Sequence, residues 1–193
     1  LAADVPLSGI TDDSRRVREG YLFIAVAGQS VDARKFIGDA IECGASAVLC
    51  EPPAPNCHGS VPVVAVPGLA SKMGAIASRF YGEPTGKMKV VAVTGTNGKT
   101  SFAHILSESL TQAGLTCGMI GTLGVGHPGH LRNPGLTTPS AVDLQRRFHE
   151  LVNEGCQAVV LEASSHGLSQ GRLDGSDISI AVFTNLTHDH LDY

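Results

Sequence analysis

Val90-Val91-Ala92-Val93-Thr94-Gly95-Thr96-Asn97-Gly98-Lys99-Thr100 joins a short, almost wholly apolar run to a Gly-Lys-Thr triplet, and a segment with helical spacing follows at once. The order strand, glycine-bearing loop, helix is that of a phosphate-binding P-loop. Consecutive backbone N–H groups and the helix N-terminus would point at phosphates, Lys99 would reach the β and γ groups, and Thr100 would hold Mg²⁺. The general pattern has glycine where this chain has Val93, so only the core from Gly95 to Thr100 matches. The chemistry expected here is binding of a nucleoside triphosphate with Mg²⁺, through Gly95, Thr96, Asn97, Gly98, Lys99, Thr100 and Ser101.

On either side of this stretch, short β-like runs alternate with helical spacing, the signature of an α/β chain with mostly parallel sheets. Before it, strands are expected at Leu22 to Val26, Ala47 to Cys50 and Val63 to Val66. Helices are expected at Lys35 to Cys43 and at about Leu69 to Tyr81. Gly82-Glu83-Pro84-Thr85-Gly86-Lys87 then breaks the pattern. We therefore expect a small N-terminal α/β domain over 1–86 and a P-loop domain over 87–193.

After the loop, a helix from Thr100 to about Ala113 is expected to turn Phe102, Ile105, Leu106 and Leu110 inward. A strand at Thr116 to Ile120 leads into a long Gly- and Pro-rich connection, Gly121 to Thr138. Ser140 and Asp143 form a capping box for a helix whose apolar face carries Leu144, Phe148, Leu151 and Val152. Ala158 to Ala163 and Ile178 to Thr184 read as buried parallel strands. No further helix follows the last of these, so the second sheet is expected to be incomplete.

With 193 residues and 42% hydrophobic content, the chain has enough apolar material for a buried core. Fourteen Lys and Arg against 18 Asp and Glu give a formal charge of -4, and no basic run favours nucleic acid or an anionic membrane. No apolar run is long enough for a bilayer, and no charged-then-apolar leader precedes the globular pattern at Leu1. Five cysteines without a C-x-x-C pair argue against a disulfide framework or structural zinc and point to a reducing cytoplasm.

Glu162 stands at the carboxyl end of a buried strand, where open α/β sheets place their ligands. A charge there needs a partner: a metal ion beside the nucleotide would supply one, or the side chain turns to solvent. The loop Ser164-Ser165-His166-Gly167-Leu168-Ser169-Gln170-Gly171-Arg172 reads as a site for a polar substrate, and no G-x-S-x-G elbow marks either serine as a nucleophile. Another strand end carries Thr184-Asn185-Leu186-Thr187-His188-Asp189-His190-Leu191-Asp192, whose His-x-His is weak support for zinc. His104 and His149 are expected on helix surfaces.

Taken together and in order, these motifs resemble the Mur ligases of peptidoglycan synthesis, and among them the tripeptide-forming type. The similarity runs from Asp12-Asp13-Ser14-Arg15 through Gly95 to Thr100, Thr137-Thr138-Pro139, Glu162-Ala163-Ser164-Ser165-His166-Gly167-Leu168 and Phe183-Thr184-Asn185-Leu186 to Asp189-His190-Leu191-Asp192. Folylpolyglutamate synthase shares the P-loop core but does not resemble the Ser-Ser-His-Gly-Leu segment. A non-catalytic Mur-like scaffold is the alternative from another class, and intact Lys99, Glu162 and His190 speak against it.

The resemblance implies an ATP-dependent amide ligase that joins a diamino acid, meso-diaminopimelate or L-lysine, to UDP-MurNAc-L-Ala-D-Glu, with no obligate protein partner. It implies Thr100, Glu162 and His190 around Mg²⁺, with Lys99, Glu162 and His190 as the catalytic set. Thr137, Thr138, Ser164, Gln170 and Arg172 would hold the UDP-muramoyl dipeptide, and Ser14 with the Gln29-Ser30-Val31 turn its uridine end. The family's carbamylated lysine and amine-receiving domain would lie beyond Tyr193. Relatives commonly have Asp-Gly where this chain has Asp32-Ala33, which would be expected to shift the turn beside the uridine.

Overall fold

A computed structural model describes residues 5–28, 31–55, 60–132 and 135–187. The chain divides into two compact units, Leu1–Met73 and Gly74–Tyr193.

In the first unit, β1 (Gly9–Thr11), β2 (Tyr21–Ala25), β3 (Ala45–Cys50) and β4 (Val63–Ala65) form a wholly parallel sheet in the order β1-β2-β3-β4. The expected helix begins as a tight 3-10 turn over Ala33–Phe36 and continues as α1 (Ile37–Glu42). Ile37 and Ala40 on α1 close over Phe23, Ala25, Val48 and Cys50 as the core. β1 escaped the sequence reading because three residues are too short to display a period.

Asp32 caps the 3-10 turn through the Arg34 N–H at 3.1 Å, and it takes two guanidinium bonds from the same arginine at 2.9 and 2.8 Å. Those hydrogen bonds hold its carboxyl at about 2. Among the described non-glycine residues only Glu83 has positive φ, so Ala33 meets no backbone strain and the expected shift of the turn is not required. Gly38 lies exposed within α1, and a methyl group added there would find no atom within 4 Å. Gly38→Ala is therefore expected to stabilise this unit by about 0.5–1 kcal/mol in urea unfolding, and a destabilisation would show that the helix is not formed there.

In the second unit the strands are β5 (Lys89–Thr94), β6 (Cys117–Gly121), β7 (Gly124–His127), β8 (His130–Arg132), β9 (Ala158–Glu162) and β10 (Ile180–Phe183). Their order is β10-β5-β9-β6-β7-β8, parallel from β10 to β6 and antiparallel through β7 and β8. Part of the long connection after β6 is thus a hairpin, hidden from periodicity because glycines alternate with its few apolar residues. Helix α3 (Lys99–Gln112) covers one face over Val91, Val93, Met119 and Val160. On the other face α4 (Ala141–Asn153) packs Leu144, Phe148 and Leu151 on Val90, Ile120, Val159 and Leu161. The expected cap is present, with Ser140 Oγ accepting from the Asp143 N–H at 3.3 Å.

Two burial expectations fail. Phe102 and Ile105 are 38% and 63% exposed, because α3 lies on the stripe of Ala103, Leu106, Ser107 and Leu110. The small Ala103 and Ser107 bring the helix close to the sheet, whereas the size of Phe102 and Ile105 had suggested the neighbouring stripe. Among the described residues β10 is the edge strand, with Ile180 and Phe183 56% and 62% exposed and Val182 alone turned into the core cluster.

The boundary between the two units falls at the start of α2 (Met73–Phe80), earlier than the Gly-Pro break at 82–87. Close packing places α2 with the second unit, since a Cβ on Gly74 would overlap the Asp174 carbonyl. Among the described residues no helix is long and apolar enough to cross a membrane. A short α5 (Ser165–Ser169) follows β9 and completes the frame of the site.

Candidate active site

β5 delivers the chain into a turn that only glycine tolerates. Gly95 has φ 130°, and a Cβ there would overlap Thr184 Oγ1 and come within 2.9 Å of the Asn185 carbonyl. The loop is held from the side by the segment after β10. Asn185 accepts the Thr96 N–H on its carbonyl at 2.9 Å and the Asn97 N–H on Oδ1 at 3.0 Å. Thr184 Oγ1 and Asn185 Nδ2 both donate to the Asn97 carbonyl, at 2.7 and 3.0 Å. The Thr187 N–H reaches Thr96 Oγ1 at 2.9 Å. This clamp was not foreseen from sequence: its groups lie some ninety positions from the loop, and only the β10–β5 pairing brings them to it.

Gly98 opens α3 with φ 82° and supplies no side-chain cap. The first N–H of the helix to find an intrahelical acceptor is that of Phe102, on the Gly98 carbonyl at 2.9 Å. Among the described residues nothing accepts from the N–H groups of Lys99, Thr100 and Ser101, which leaves them for an anion at the positive end of the helix. Lys99 Nζ donates to the Gly95 and Thr96 carbonyls at 2.6 and 2.9 Å, which keeps the ammonium over the loop.

The neighbouring strand places Glu162 beside this loop, since Glu162 is in register with Val93. Its side chain is fully buried rather than turned to solvent. Thr100 Oγ1 donates to Oε2 at 2.7 Å, the Thr122 N–H to Oε1 at 2.9 Å and Thr122 Oγ1 to Oε2 at 3.2 Å. Gly121 makes the space, because a Cβ there would overlap Oε1. Among the described residues no Lys, Arg or His forms an ion pair with Glu162. A buried carboxylate with donors but no counter-charge is suited to a cation.

The donor set fits Mg²⁺: a carboxylate and a hydroxyl, both hard oxygens, at the mouth of a phosphate loop. No cluster of three or more His, Cys, Asp or Glu forms a metal cage among the described residues. His190, the third expected ligand, lies outside the described residues, as do Gln29 and Ser30.

Beyond Glu162, Thr138 Oγ1 donates to the Glu162 carbonyl at 2.9 Å and accepts from the Ser164 N–H at 3.0 Å. Thr138 is 1% exposed, so its hydroxyl ties two segments together and is not offered to a ligand. Gly167 permits this approach, its Cβ position lying 2.8 Å from Thr138 Cγ2. Ser164 Oγ caps α5 through the Gly167 N–H at 3.1 Å. Arg172 donates to the Thr138 carbonyl at 2.6 Å and to Gln170 Oε1 at 3.0 and 2.6 Å, so Gln170 fixes the guanidinium fork.

These groups surround one cleft of about 580 Å³, lined by the loop from Thr96 to Ser101 and by Thr122, Leu136, Thr137, Thr138, Glu162, Ser164, His166 and Arg172. The second-unit candidates thus converge, apart from His190, with Gln170 acting behind Arg172. Thr122 and Gly121 were missed because they sit in what read as connection. In the first unit, Ser14 opens a 3-10 turn capped by Asp13, and Val31 is 58% exposed.

No disulfide joins the described cysteines. Burial pushes the thiols of Cys117 and Cys156 up to about 11, which keeps them protonated and chemically quiet. His149 does not stand free on its helix: Nδ1 lies 3.0 Å from the Tyr81 carbonyl and the two rings are 5.3 Å apart.

Comparison with known proteins accords with this geometry. The family model described as Mur ligase middle domain matches residues 93–193, and that described as Mur ligase family, catalytic domain matches residues 6–81. The UDP-N-acetylmuramoyl-L-alanyl-D-glutamate–2,6-diaminopimelate ligase of Xanthomonas campestris pv. campestris is 47% identical over 100% of this chain and 39% of its own length. Its namesake in Coxiella burnetii is 43% identical over 100% of the chain and 40% of its length. A solved structure of a ligase of that name superimposes with TM-score 0.82 at 36% identity, covering 99% of this chain and 40% of the other. The MurF ligase of Thermotoga maritima, solved with ADP, shares the fold at TM-score 0.64 and 23% identity, over 98% of this chain and 40% of its own. The chain thus spans about 39% of the length of the curated relatives it matches.

Proposed function

Because this chain belongs to the Mur ligase family, we propose that it forms the nucleotide- and UDP-substrate-binding part of a cytoplasmic, ATP-dependent ligase that adds a diamino acid to UDP-MurNAc-L-Ala-D-Glu. One observation carries the reading. The free N–H groups of α3, the Lys99 ammonium, the Thr100 hydroxyl, the buried Glu162 carboxylate and the Arg172 fork share a single cleft. The names of the relatives favour 2,6-diaminopimelate as the diamino acid.

In this reading the α3 N-terminus and Lys99 bind the β and γ phosphates of ATP and oppose the charge that develops as the γ-phosphoryl group moves. A carboxylate oxygen of the D-glutamate side chain attacks the γ-phosphorus, and ADP departs. The amine of the diamino acid then attacks the acyl carbon, phosphate leaves, and the amine proton passes to solvent. Mg²⁺ would supply charge neutralisation between the phosphates, held by Thr100 and Glu162 with His190 as the proposed third ligand. Arg172, oriented by Gln170, presents a planar fork suited to two oxygens of a carboxylate or phosphate. Ser14, Gln29, Ser30 and Val31 are the proposed contacts for the uridine end, Thr137 and Ser164 frame the dipeptide, and Thr138 holds together the two segments that carry them.

Phosphate release by the intact protein tests the proposal. Release should require ATP, Mg²⁺, UDP-MurNAc-L-Ala-D-Glu and a diamino acid together, and release supported by a folate acceptor instead would overturn it. The isolated 193 residues are expected to bind nucleotide without ligation, since the relatives are more than twice as long. Tripeptide product from these residues alone, detected by mass spectrometry, would refute that expectation.

A further inference from the structure

Thr122 touches both halves of the cleft. Its N–H and hydroxyl bond the two carboxylate oxygens of Glu162, at 2.9 and 3.2 Å, and its hydroxyl lies 3.0 Å from Thr137 Oγ1. Thr100, the remaining donor to the Glu162 carboxylate among the described residues, is itself a candidate cation ligand, so its bond at 2.7 Å is the one a cation would replace. The two bonds from Thr122 need not change, and they leave Oε2 aimed at the P-loop.

A hydroxyl has one proton to give. The charged carboxylate is the stronger acceptor, so the Thr122 proton goes to Glu162, and Thr137 must then be the donor in the contact between the two hydroxyls. Proton donation thus runs from Thr137 to Thr122 to Glu162. Thr137 lines the cleft and keeps only lone pairs for a ligand.

We propose that Thr122 is a positioning residue that fixes the Glu162 carboxylate for a cation at the P-loop and, through the same hydroxyl, makes Thr137 an acceptor toward the substrate. Thr137 would then select an N–H or O–H of the UDP-linked ligand, not a carboxylate or phosphate oxygen. The inference rests on the reading of the cleft as a nucleotide and Mg²⁺ site.

Its test is a MgCl₂ titration of the intact protein with a fluorescent ATP analogue, beside the same binding in EDTA. Thr122→Val should raise the Mg²⁺ midpoint about tenfold, the scale on which groups that orient a metal ligand act, and leave binding in EDTA within about twofold. Thr122→Ser keeps the hydroxyl and should restore the midpoint to within about twofold. If Thr122→Val does not fold, Thr122→Ala removes the same hydroxyl and carries the same expectation. An unshifted midpoint in Val and Ala, or a shift in Ser as large as in Val, overturns the proposal. Absence of any Mg²⁺ effect in the unaltered protein overturns the nucleotide-site reading beneath it, so the two failures are distinguishable.

Discussion

Lys99→Ala is expected to lower ligase turnover of the intact protein about 10³-fold, the upper end of the scale seen when one preorganised donor to a developing oxyanion is removed. ATP should bind roughly 10–100-fold more weakly, as for loss of a charge-assisted hydrogen bond, while affinity for the UDP-linked dipeptide changes less than about twofold. The asymmetry follows from position. Lys99 lies over the loop at Gly95 and Thr96, whereas Arg172 and Gln170 are tied to the Thr138 side of the cleft. Stability should hardly move, because the ammonium bonds two carbonyls and neutralises no buried charge. Calorimetry with each ligand and a thermal melt check this, and equal losses for both ligands would contradict two separate subsites.

The second large effect is expected from a residue with no chemistry of its own. Gly121→Ala places a methyl group where the Glu162 carboxylate lies, with Cδ and Cγ at 2.7 and 2.8 Å from the new carbon. The backbone there is not in the left-handed region, so the cost is steric alone. Either Glu162 moves and gives up its bonds from Thr100 and Thr122, or β6 and β9 part. We expect a loss of about 1–3 kcal/mol, as for overpacking of a filled interior, with a lower Tm and a fall in phosphate release of at least about 100-fold. Shortening the clashing side chain should return part of the stability, so Gly121→Ala with Glu162→Asp should melt above Gly121→Ala alone. A double variant that melts no higher would show that overlap with Glu162 is not the cause.

Much of this site was legible in the amino-acid order because its signals are local. Gly95, Gly98, Lys99 and Thr100 lie together where a strand passes into a helix, and Glu162 ends an almost wholly apolar run of the kind a central parallel strand shows. The Ser140 cap and the α4 face at Leu144, Phe148 and Leu151 were equally readable, since a helix writes its buried side every three or four residues. Resemblance added the proposed roles of Thr137, Ser164, Gln170 and Arg172, which no spacing rule supplies.

Tertiary structure alone decided the rest. Which stripe of α3 is buried depends on how closely the helix approaches the sheet, so Ala103 and Ser107 prevail over Phe102 and Ile105. Only the strand order β10-β5-β9-β6 brings Thr184 and Asn185 to the P-loop on one side and Gly121 and Thr122 to Glu162 on the other. Short-range pattern determined most of the elements and the charged groups of this protein, but not β1 or the β7–β8 hairpin. The glycines and threonines that aim those groups act across distant strands, and their meaning depends on contacts that exist only once the sheet has formed.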